Sequence, residues 1–384
     1  MAAKVCIFTT VHPPFDTRTF HKEAKTLARA GYDVTLIVQH DRDEVVEGVK
    51  IIALSKPRNR LTRIFGLTWR AFRLALRQKA DVYHFHDPEL LAVGVLLKLF
   101  TRSKVIYDVH EDVPKQILNK SWLPLWTRKP LSVVYEIVER ICLPFIDVIV
   151  IAEDSYIDNY RGRENVIAIR NYPFLTNLTI DSADGNPGEN SVQDFRVTYV
   201  GGITKLRGAL ELIEALRVLK EAAYQTVVLR LIGPLFPRTL ERELNNLIQQ
   251  YGLEKNVRIP GPVAHEKVAS ILARSNIGVA ILHPDPNYVE SLPTKLFEYM
   301  AAGLPVMASN FPLWREIVEG NNCGLCVDPL DPKATAQAIE YLLTHPEEAR
   351  RMGENGRRAV EEKYNWETEG EKLLDLYKKL TETK

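Results

Sequence analysis

The stretch YVESLPTKLFEYMAAGLPV, residues 288–306, runs from a loop through a helix to the start of a strand. Ser291 can cap the helix, Pro293 suits its first turn, and Leu296 and Met300 give it an apolar face. A helix that leads at once into a short β-prone run is typical of folds in which helices cover a parallel sheet. The stretch therefore predicts an α/β unit in this part of the chain.

Two carboxylates lie in this stretch, at Glu290 and Glu298. The first backbone N–H groups of a helix lack partners within it, so a helix start attracts an anion, above all a phosphate. Glu290 precedes the helix and would lie near whatever the phosphate carries, whereas Glu298 could accept hydrogen bonds from hydroxyl groups. Glu290, the helix start and Glu298 follow one another in an order that suits a sugar, a diphosphate and a ribose. The alternative is that both carboxylates are simply solvated on an amphipathic helix. Their spacing alone does not distinguish these two interpretations, so the rest of the sequence is needed.

Strand and helix patterns alternate along the whole chain. Short apolar, β-prone runs occur at 5–9, 34–38, 82–85, 105–109, 148–151 and 166–169, and again at 197–200, 227–232, 257–259, 277–281 and 305–308. Helical patterns separate them. Alternation of this kind predicts βαβ units and parallel sheets.

One polar segment interrupts the alternation. Residues 176–194 are rich in Gly, Asn, Asp and Ser, which favours a linker or a long surface loop. The sequence thus predicts two doubly wound α/β domains, at 1–175 and 195–365. The final segment, 366–384, is amphipathic and long enough to pack back on the first domain.

Composition narrows the classes of protein. The chain has 384 residues with a net charge of +1, which argues against a dedicated nucleic-acid binder. No run of 18 apolar residues occurs, so we expect no membrane span. The chain begins with a strand pattern and not a secretory signal, and four cysteines fit a reduced, cytoplasmic setting.

We predict no metal site. Cys323 and Cys326 form a C-x-x-C pair, but no second pair or suitably spaced histidines accompany it. Asp41 and Asp43 form a D-x-D in a polar loop, which we interpret as solvated surface.

Unusual residues follow the predicted strands at their carboxyl ends, where doubly wound sheets bind ligands. They are His12, His86, Asp87 and His110 in the first domain, and Gly201, Gly202, Gly233, Pro260, Gly261 and His283 in the second. Two sheets with facing carboxyl edges would line one cleft with these groups. Each residue taken alone also has a structural explanation, such as a turn glycine or a core histidine.

A glycine-rich turn with two cations opens a helix after the first strand of the second domain. It reads GGITKLRG, residues 201–208, and contains Lys205 and Arg207. Glycines let a backbone approach phosphates, and an arginine can hold a phosphate with two hydrogen bonds. The turn matches neither the dinucleotide-binding fingerprint nor a Walker A loop. An ordinary turn with solvated cations is the alternative.

Three segments of the second half, VGGITKLRG, GPVAHEKVASILARSNIGVAIL and ESLPTKLFEYMAAGLPVMAS, resemble the donor-binding half of the retaining GT-B glycosyltransferases of glycosyltransferase family 4. In the first half, HPPFDTRTFHKEAKTLARAGYDVTLI and YDVHED resemble the acceptor-side half. The resemblance covers nearly the whole chain. It implies two Rossmann-like domains facing across a cleft, a UDP- or GDP-sugar donor, transfer with retention at the anomeric carbon, and no obligatory metal or cofactor.

The resemblance also assigns roles to residues. It implies Glu290 on the donor sugar, Glu298 on the ribose, Arg207 on the diphosphate and His110 near the sugar, so that His110, Glu290 and Arg207 are the catalytic candidates. The remaining donor-side candidates are Gly201, Gly202, Lys205, Gly233, Pro260, Gly261, Ser291, Leu292, Pro293, Thr294 and Lys295. The acceptor-side candidates are His12, Arg18, His86 and Asp87.

One position departs from the family pattern. The family commonly has an arginine where this chain has Gly202, so one cation for the diphosphate is missing from its usual place. Lys205, or Lys295 near the helix start, could replace it.

The sequence thus predicts a retaining glycosyltransferase of hexosyltransferase type, acting on a hydroxyl acceptor in bacterial-type polysaccharide, glycolipid or glycoconjugate synthesis. Cations and helix N–H groups would stabilise the departing diphosphate without a metal. A nucleotide-sugar epimerase of the same fold and a non-catalytic nucleotide-sugar-binding subunit are the alternatives.

A basic segment raises a further hypothesis. Residues 56–79 contain eight Lys/Arg and no acidic residue, and Arg70, Arg73 and Arg77 share one helix face. Such a helix can lie on an anionic membrane, or it can be a surface helix with its apolar side in the core. Residues 121–131 add tryptophans and cations. If these segments touch a membrane, a lipid-linked acceptor and a location at its inner face follow.

Overall fold

The computed structural model describes residues 2–57, 59, 62–120, 123–175 and 194–382. The predicted linker 176–194 lies outside the described residues except for Asp194. The chain forms two compact units. One comprises Met1–Asn171 together with Trp366–Lys384, and the other comprises Tyr172–Asn365.

The first unit is built on an eight-stranded sheet. Its strands are β1 (Lys4–Phe8), β2 (Asp33–Gln39), β3 (Glu44–Val46), β4 (Val49–Leu54), β5 (Val82–Phe85), β6 (Lys104–Val109), β7 (Val148–Ile151) and β8 (Val166–Ala168). Their order is β3-β4-β2-β1-β5-β6-β7-β8, parallel throughout except for the β3–β4 hairpin. The strand order reverses between β1 and β5, which makes that point of the carboxyl edge the expected ligand position.

Helices follow most of these strands. A π-helical run, Thr17–Ala24, continues as α1 (Lys25–Arg29), and a second one, Thr62–Leu67, continues as α2 (Thr68–Gln78). They are followed by α3 (Leu91–Phe100), α4 (Val113–Asn119) and α5 (Leu125–Cys142), with short 3₁₀ turns at Pro88–Leu90, Leu143–Phe145 and Asp154–Tyr160. Asp16 caps the first run, since its Oδ1 accepts from the N–H groups of Arg18 and Thr19 at 2.9 and 3.0 Å.

The second unit has a six-stranded sheet that is parallel throughout. Its strands are β9 (Phe195–Val200), β10 (Val227–Ile232), β11 (Val257–Gly261), β12 (Ile277–Ala280), β13 (Val306–Ser309) and β14 (Gly324–Val327), in the order β11-β10-β9-β12-β13-β14. Its helices are α6 (Ala209–Glu221), α7 (Thr239–Gln250), α8 (His265–Leu272), α9 (Pro286–Val289), α10 (Thr294–Ala301), α11 (Pro312–Val318), α12 (Pro332–Thr344) and α13 (Pro346–Glu362). A 3₁₀ turn, Lys205–Arg207, precedes α6.

Tyr299 locks α10 onto this sheet. Its ring lies against Gly278 of β12 so closely that a Cβ there would be 2.3 Å from the ring. Its hydroxyl accepts a hydrogen bond of 2.8 Å from the N–H of Val200, the last residue of β9. The start of α10 is therefore held beside the loop that follows β9.

The C-terminal helix, α14 (Trp366–Glu382), belongs to the first unit. The indole of Trp366 donates to Thr26 Oγ1 at 3.0 Å, and Tyr377 Oη lies 2.9 Å from Nδ1 of His84. Trp366 and Tyr377 are both buried. These contacts connect the end of the chain to the core of the unit that contains its beginning.

The structure shows what surrounds the D-x-D and C-x-x-C motifs of the sequence. Asp43 Oδ1 accepts from the Ala53 N–H at 2.8 Å and so anchors the β3–β4 hairpin. All four cysteines are free thiols, and burial raises the pKa values of Cys323 and Cys326 to about 12. No helix among the described residues is both long and apolar enough to cross a membrane.

Candidate functional site

Glycines lie at the carboxyl ends of β9, β10 and β11 in the second sheet. Gly201 donates to Ile232 O at 2.8 Å, and Gly233 donates to Gly261 O at 3.0 Å. A Cβ on Gly233 would lie 2.0 Å from Gly201 O, and Gly233 has a φ of +143°. Only glycine fits at Gly233, so the chain segments that follow β9 and β10 approach each other through backbone that carries no side chain.

Arg207 fills the space beside Gly202. Its Nη1 donates to Gly202 O at 3.3 Å, and its guanidinium lies 5.9 Å from the centre of the Tyr288 ring. A Cβ on Gly202 would be 3.0 Å from the same Nη1. The departure from the family pattern thus has a local consequence, because the missing side chain leaves room for Arg207.

Lys295 reaches the same loop from the first turn of α10. Its Nζ donates to Tyr199 Oη at 2.7 Å and stands 3.9 Å from the centre of the Tyr199 ring. The Tyr199 hydroxyl in turn donates to Gly202 O at 2.7 Å. Burial, together with the nearby Arg207, lowers the pKa of Lys295 to about 7, although Glu298 opposes the shift. Two cations therefore converge on one glycine turn.

Lys205 and His283 have other partners. Lys205 Nζ lies 2.7 Å from Glu243 of α7 at the surface, with about half of each side chain exposed. His283 Nε2 lies 2.9 Å from Glu211 Oε1 of α6. Of the two lysines considered as replacements for the missing arginine, Lys295 stands next to Arg207 and Lys205 is held by a surface ion pair.

The predicted cap at Ser291 is wrong. Pro293 occupies the N-cap position of α10, and Ser291 Oγ donates instead to Tyr288 O at 3.1 Å. The reason is that the short helix α9 ends just before Ser291, whose side chain closes that turn. Within the described chain, the N–H groups of Thr294 and Lys295 have no hydrogen-bond acceptor, whereas that of Leu296 donates to Pro293 O at 3.0 Å.

The other donor-side candidates surround this helix start. Glu290 is exposed and directly follows α9 at its C-cap position, and Glu298 is partly exposed on α10. Leu292 lies between Ser291 and the N-cap. At the end of β11, Pro260 is exposed and Gly261 has a φ of +83°.

Three histidines lie together in the first unit. His12, His86 and His110 follow β1, β5 and β6, which are adjacent parallel strands. The ring centres of His86 and His110 are 5.0 Å apart, and those of His12 and His110 are 5.3 Å apart. Adjacent parallel strands end at the same edge, so residues that are far apart in sequence meet there.

His110 is held through one ring nitrogen. Its Nε2 lies 2.9 Å from His86 Nδ1 and 3.2 Å from Asp108 Oδ1. Asp108 is fully buried and accepts three charge-assisted bonds from Arg18, two from Nη2 at 2.8 and 3.0 Å and one from Nε at 3.2 Å. Burial alone would raise the pKa of Asp108, but Arg18 and His110 hold it well below its usual range.

Glu23 completes this buried network. Its Oε2 lies 3.2 Å from His86 Nε2 and its Oε1 lies 3.0 Å from Arg18 Nε. Burial and the neighbouring Asp108 raise the pKa of Glu23 well above its usual range. A neutral Glu23 leaves one carboxylate charge, on Asp108, against the one guanidinium of Arg18. Glu23, His84, His86 and Asp108 offer ligand atoms that all lie within 4.8 Å of one another, and Arg18 lies within ion-pair distance of both carboxylates of this group.

Asp87 organises the loop after β1. Its Oδ2 accepts from the hydroxyls of Thr9 and Thr10 at 2.9 and 3.0 Å. His12 lies between Asp87 and Asp16, with nitrogen–oxygen distances of 3.8 and 3.5 Å. Burial opposes the charging of His12, yet these carboxylates raise its pKa above the usual value.

Sequence reasoning did not single out Glu23, Asp108 or Tyr199. For Asp108 a signal existed, since it is a lone charge in the apolar run VIYDV, and a charge in a fully buried strand requires a partner. Glu23 carries a weaker signal of the same kind on the buried face of its helix. Nothing in the sequence distinguishes Tyr199 from other strand tyrosines.

Comparison with known proteins agrees with this fold. Residues 17–169 match the model of the glycosyl transferase 4-like domain, and residues 186–359 match that of glycosyl transferases group 1. The MMP alpha-(1->4)-mannosyltransferase of Mycolicibacterium hassiacum is 24% identical over 81% of this chain and 74% of its own. An uncharacterized glycosyltransferase of Methanocaldococcus jannaschii is 24% identical over 92% of each chain.

Solved structures are similar over the full length. Sucrose-phosphate synthase from Thermosynechococcus elongatus superposes with a TM-score of 0.79 at 22% identity, covering 100% of both chains. Anabaena HepE, solved in complex with UDP-glucose, gives a TM-score of 0.73 at 16% identity and covers 98% of this chain and 99% of its own. The two matched domain models and the shared fold show that this chain belongs to the GT-B glycosyltransferases, of the type of glycosyltransferase family 4.

Proposed function

We propose that the protein is a retaining, hexosyltransferase-type enzyme that moves a sugar from a nucleotide-diphosphate-sugar to a hydroxyl acceptor. The observation that carries the proposal is the convergence of Arg207 and Lys295 on the Gly201–Gly202 turn, beside the start of α10. Anabaena HepE was solved with UDP and with UDP-glucose, which supports a UDP-sugar as the first donor to test. A GDP-sugar is the second.

The diphosphate is assigned to the two cations and the helix start. Cleavage of the sugar–phosphate bond builds negative charge on the departing diphosphate. Arg207 can meet it with two parallel hydrogen bonds, and Lys295 adds a point charge from the other side of the turn. The N–H groups of Thr294 and Lys295 at the start of α10 add two oriented donors. In this proposal the protein groups stabilise the leaving group without a metal.

Glu290 and Glu298 are assigned to the hydroxyl groups of the donor. Glu298, one turn into α10, is assigned to the ribose hydroxyls, and Glu290, before the helix, to the hydroxyls of the sugar. The backbone at Pro260, Gly261 and Gly233 is assigned to the base, because these residues lie at the carboxyl ends of β10 and β11, the edge at which such sheets bind ligands. If backbone groups at this edge bind the base, the side chains of the sequence do not identify which base it is.

His110 is assigned to the sugar and its neighbours to the acceptor side. Its Nε2 is engaged by His86 and Asp108, so Nδ1 is the nitrogen left to contact substrate. In the neutral ring with a proton on Nε2, Nδ1 accepts a hydrogen bond from a hydroxyl group. Arg18 then acts through Asp108, whereas His12 and Asp87 shape the loop after β1.

The proposed setting is the cytoplasmic synthesis of a polysaccharide, glycolipid or glycoconjugate, with a sugar or lipid-linked acceptor. The name of the M. hassiacum relative supports a sugar acceptor. Retention is tested by comparing the anomeric configuration of the product with that of the donor, which one-bond C1–H1 NMR couplings reveal. An inverted product would contradict the proposal.

The first experiment is thermal unfolding of the purified protein with a panel of nucleoside diphosphates and nucleotide sugars. A ligand that binds the native state raises the melting temperature by mass action. We expect one nucleotide to stabilise the wild type, and Arg207→Ala and Glu298→Ala to lose most of this shift. Lys205→Ala is the matched control, because its ammonium is held by Glu243, and it should keep the shift. No response to any nucleotide would contradict the proposed donor site.

Turnover separates the proposal from its alternatives. A transferase consumes donor faster when an acceptor is present, an epimerase converts donor to its epimer with no acceptor, and a binding subunit leaves the donor intact. Product analysis with and without added acceptor therefore distinguishes the three.

A further inference from the structure

Helix α5 has its polarity reversed. Ser132, Tyr135, Glu139 and Cys142 lie on the side that packs against the first unit. The opposite side is apolar and faces solvent. Its exposed residues are Trp126, Pro130, Val133, Val134, Ile137 and Ile141, with exposed fractions that reach 80% at Trp126 and 64% at Ile141. A surface helix normally shows the reverse arrangement.

These residues form one continuous stripe, which we name the α5 stripe. They recur at intervals of three and four, so they stack along a single face of the helix. No charged residue interrupts them. With 18 residues the helix is about 27 Å long, so the stripe is far more extensive than the scattered apolar residues of an ordinary surface.

The neighbouring helices extend this surface. Helices α2, α3 and α5 lie side by side, since α3 packs against both α2 and α5. Leu99 and Phe100 at the end of α3 are exposed, as is Trp69 of α2. The rings of Trp69 and Phe72 lie 5.4 Å apart, and those of Phe72 and Phe100 lie 6.3 Å apart, so the aromatic groups of α2 and α3 form one patch.

The charge of the layer is strongly positive. Arg70, Arg73 and Arg77 of α2 and Lys129 and Arg140 of α5 are exposed. The sequences of α2 and α3 contain no acidic residue. Of the two acids on α5, Glu136 is exposed, whereas Glu139 turns inward and accepts from the hydroxyls of Tyr135 and Tyr160 at 3.3 and 3.1 Å. An apolar stripe bordered by cations requires a partner that is both apolar and anionic.

We propose that the layer formed by α2, α3 and α5 binds the surface of an anionic lipid bilayer. The α5 stripe enters the boundary between headgroups and acyl chains, and the exposed arginines and lysines meet the anionic headgroups. A second copy of the chain is disfavoured as the occupant, since a two-fold interface would set the same cations against one another. The apolar contact lies mainly beyond residue 131, past the segments at 56–79 and 121–131 that the sequence indicated.

The test is flotation of the full-length protein with vesicles of phosphatidylcholine alone or mixed with phosphatidylglycerol. We expect binding to the mixed vesicles. This binding should weaken as the salt concentration rises, because salt screens the attraction between the arginines and the anionic headgroups. Ile137→Ser with Ile141→Ser should lower the partition coefficient about tenfold or more. Val45→Ser with Leu330→Ser is the matched control, because these residues are similarly exposed and lie elsewhere. Arg73→Gln with Arg77→Gln should reduce both binding and its salt dependence.

Several outcomes would overturn the proposal. Absence of binding to mixed vesicles is one, and equal binding to neutral and anionic vesicles is another. A third is a concentration-dependent oligomer that the Ile137→Ser, Ile141→Ser variant abolishes, which would assign the face to a second copy. Unchanged melting temperatures for all variants establish that a loss of binding is not a loss of fold. The assay requires no substrate, so its result is independent of the proposed donor site.

Discussion

Lys295 places an ammonium group beside Arg207 with the Tyr199 hydroxyl, and no carboxylate, as its hydrogen-bond partner among the described residues. Its pKa of about 7 lies below the value of about 10.4 for a free lysine. Above pH 7 the group is largely neutral in the ligand-free protein. A bound diphosphate favours the charged form, so binding must be accompanied by proton uptake.

We therefore predict that nucleoside-diphosphate affinity is greatest below about pH 7 and falls as the pH rises, because the cost of charging Lys295 grows. Calorimetry at pH 8 in two buffers of different ionisation enthalpy measures the uptake, at a pH well above the phosphate's own pKa of about 6. Lys295→Met should bind more weakly and show no uptake. Equal apparent enthalpies in both buffers for the wild type would contradict the assignment.

The same substitution has an opposite effect on stability. The unfolded chain gains a proton on this lysine below about pH 10.4, whereas the folded chain gains it only near pH 7, so the ligand-free fold is penalised throughout the neutral range. Lys295 as a whole residue is partly exposed, so solvent near its side chain reduces the penalty. We expect Lys295→Met to raise ligand-free stability at pH 7 by about 1–2 kcal/mol.

Gly202 illustrates a second residue-scale effect. A Cβ there would be 3.0 Å from Arg207 Nη1, so Gly202→Ala should displace the guanidinium without affecting the core. We predict that donor affinity falls by about three- to tenfold, which corresponds to about 0.7–1.4 kcal/mol, with no change in melting temperature. Gly66→Ala is the control, because no neighbouring atom lies within 4 Å of its Cβ position. Unchanged donor affinity for Gly202→Ala would show that donor binding by Arg207 does not depend on the absence of a side chain at position 202.

At the scale of elements, the end of β6 and the first helical run share one buried charge network. Glu23 has a raised pKa, so in the fold it keeps its proton to a higher pH than in the unfolded chain, where it ionises above about pH 4.3. Stability contributed at this site is therefore present at low pH and is lost as the pH rises towards the folded pKa.

Glu23→Gln mimics the protonated side chain and should remove that loss. We predict that the variant becomes more stable than the wild type as the pH rises above 4.3, by about 1.4 kcal/mol per pH unit until the folded pKa is reached. Urea unfolding between pH 4 and 7 measures the difference. Glu164→Gln, at an exposed position of the same unit, should show no such trend. Parallel stability curves for wild type and Glu23→Gln would mean that Glu23 is ionised in the fold.

At the scale of the whole molecule, the first unit depends on the end of the chain. Helix α14 buries Trp366, Leu373 and Tyr377, and Arg170 N donates to Glu369 Oε2 at 2.9 Å. Each of the three large side chains contributes about 1.5–3 kcal/mol, and together they approach the total stability of a typical domain, about 5–15 kcal/mol.

We predict that a chain ending at Asn365 loses the fold of the first unit and keeps that of the second. Hydrogen exchange should show lost protection in β5 and β6 and retained protection in β9 to β13. Tyr377→Phe removes only the hydrogen bond to His84 and should cost about 1 kcal/mol. Full protection of β5 in the shortened chain would contradict this account.

Much of the fold followed from the sequence alone, because apolar period and turn chemistry are local. Every predicted strand is present, and the strand-end histidines of the first unit meet as adjacent parallel strands require. The β3–β4 hairpin was not predicted: β3 has only three residues and lies at the sheet edge, whereas β4 has six and pairs with β2 inside the sheet. The cap at Ser291 was wrong because a neighbouring turn used the same side chain.

Only the tertiary structure decided which side chains act together. Tyr199 and Lys295 are 96 residues apart, and Arg18 and Asp108 are 90 apart. Such pairs form where distant strands and helices cross, and neither periodicity nor spacing encodes that meeting. The same reason explains the α5 stripe, since a helical period indicates one apolar face without showing whether that face turns to the core or to solvent. The sequence thus determined the elements and the chemistry at their ends, and the packing determined which cations, carboxylates and apolar faces remain available for a ligand.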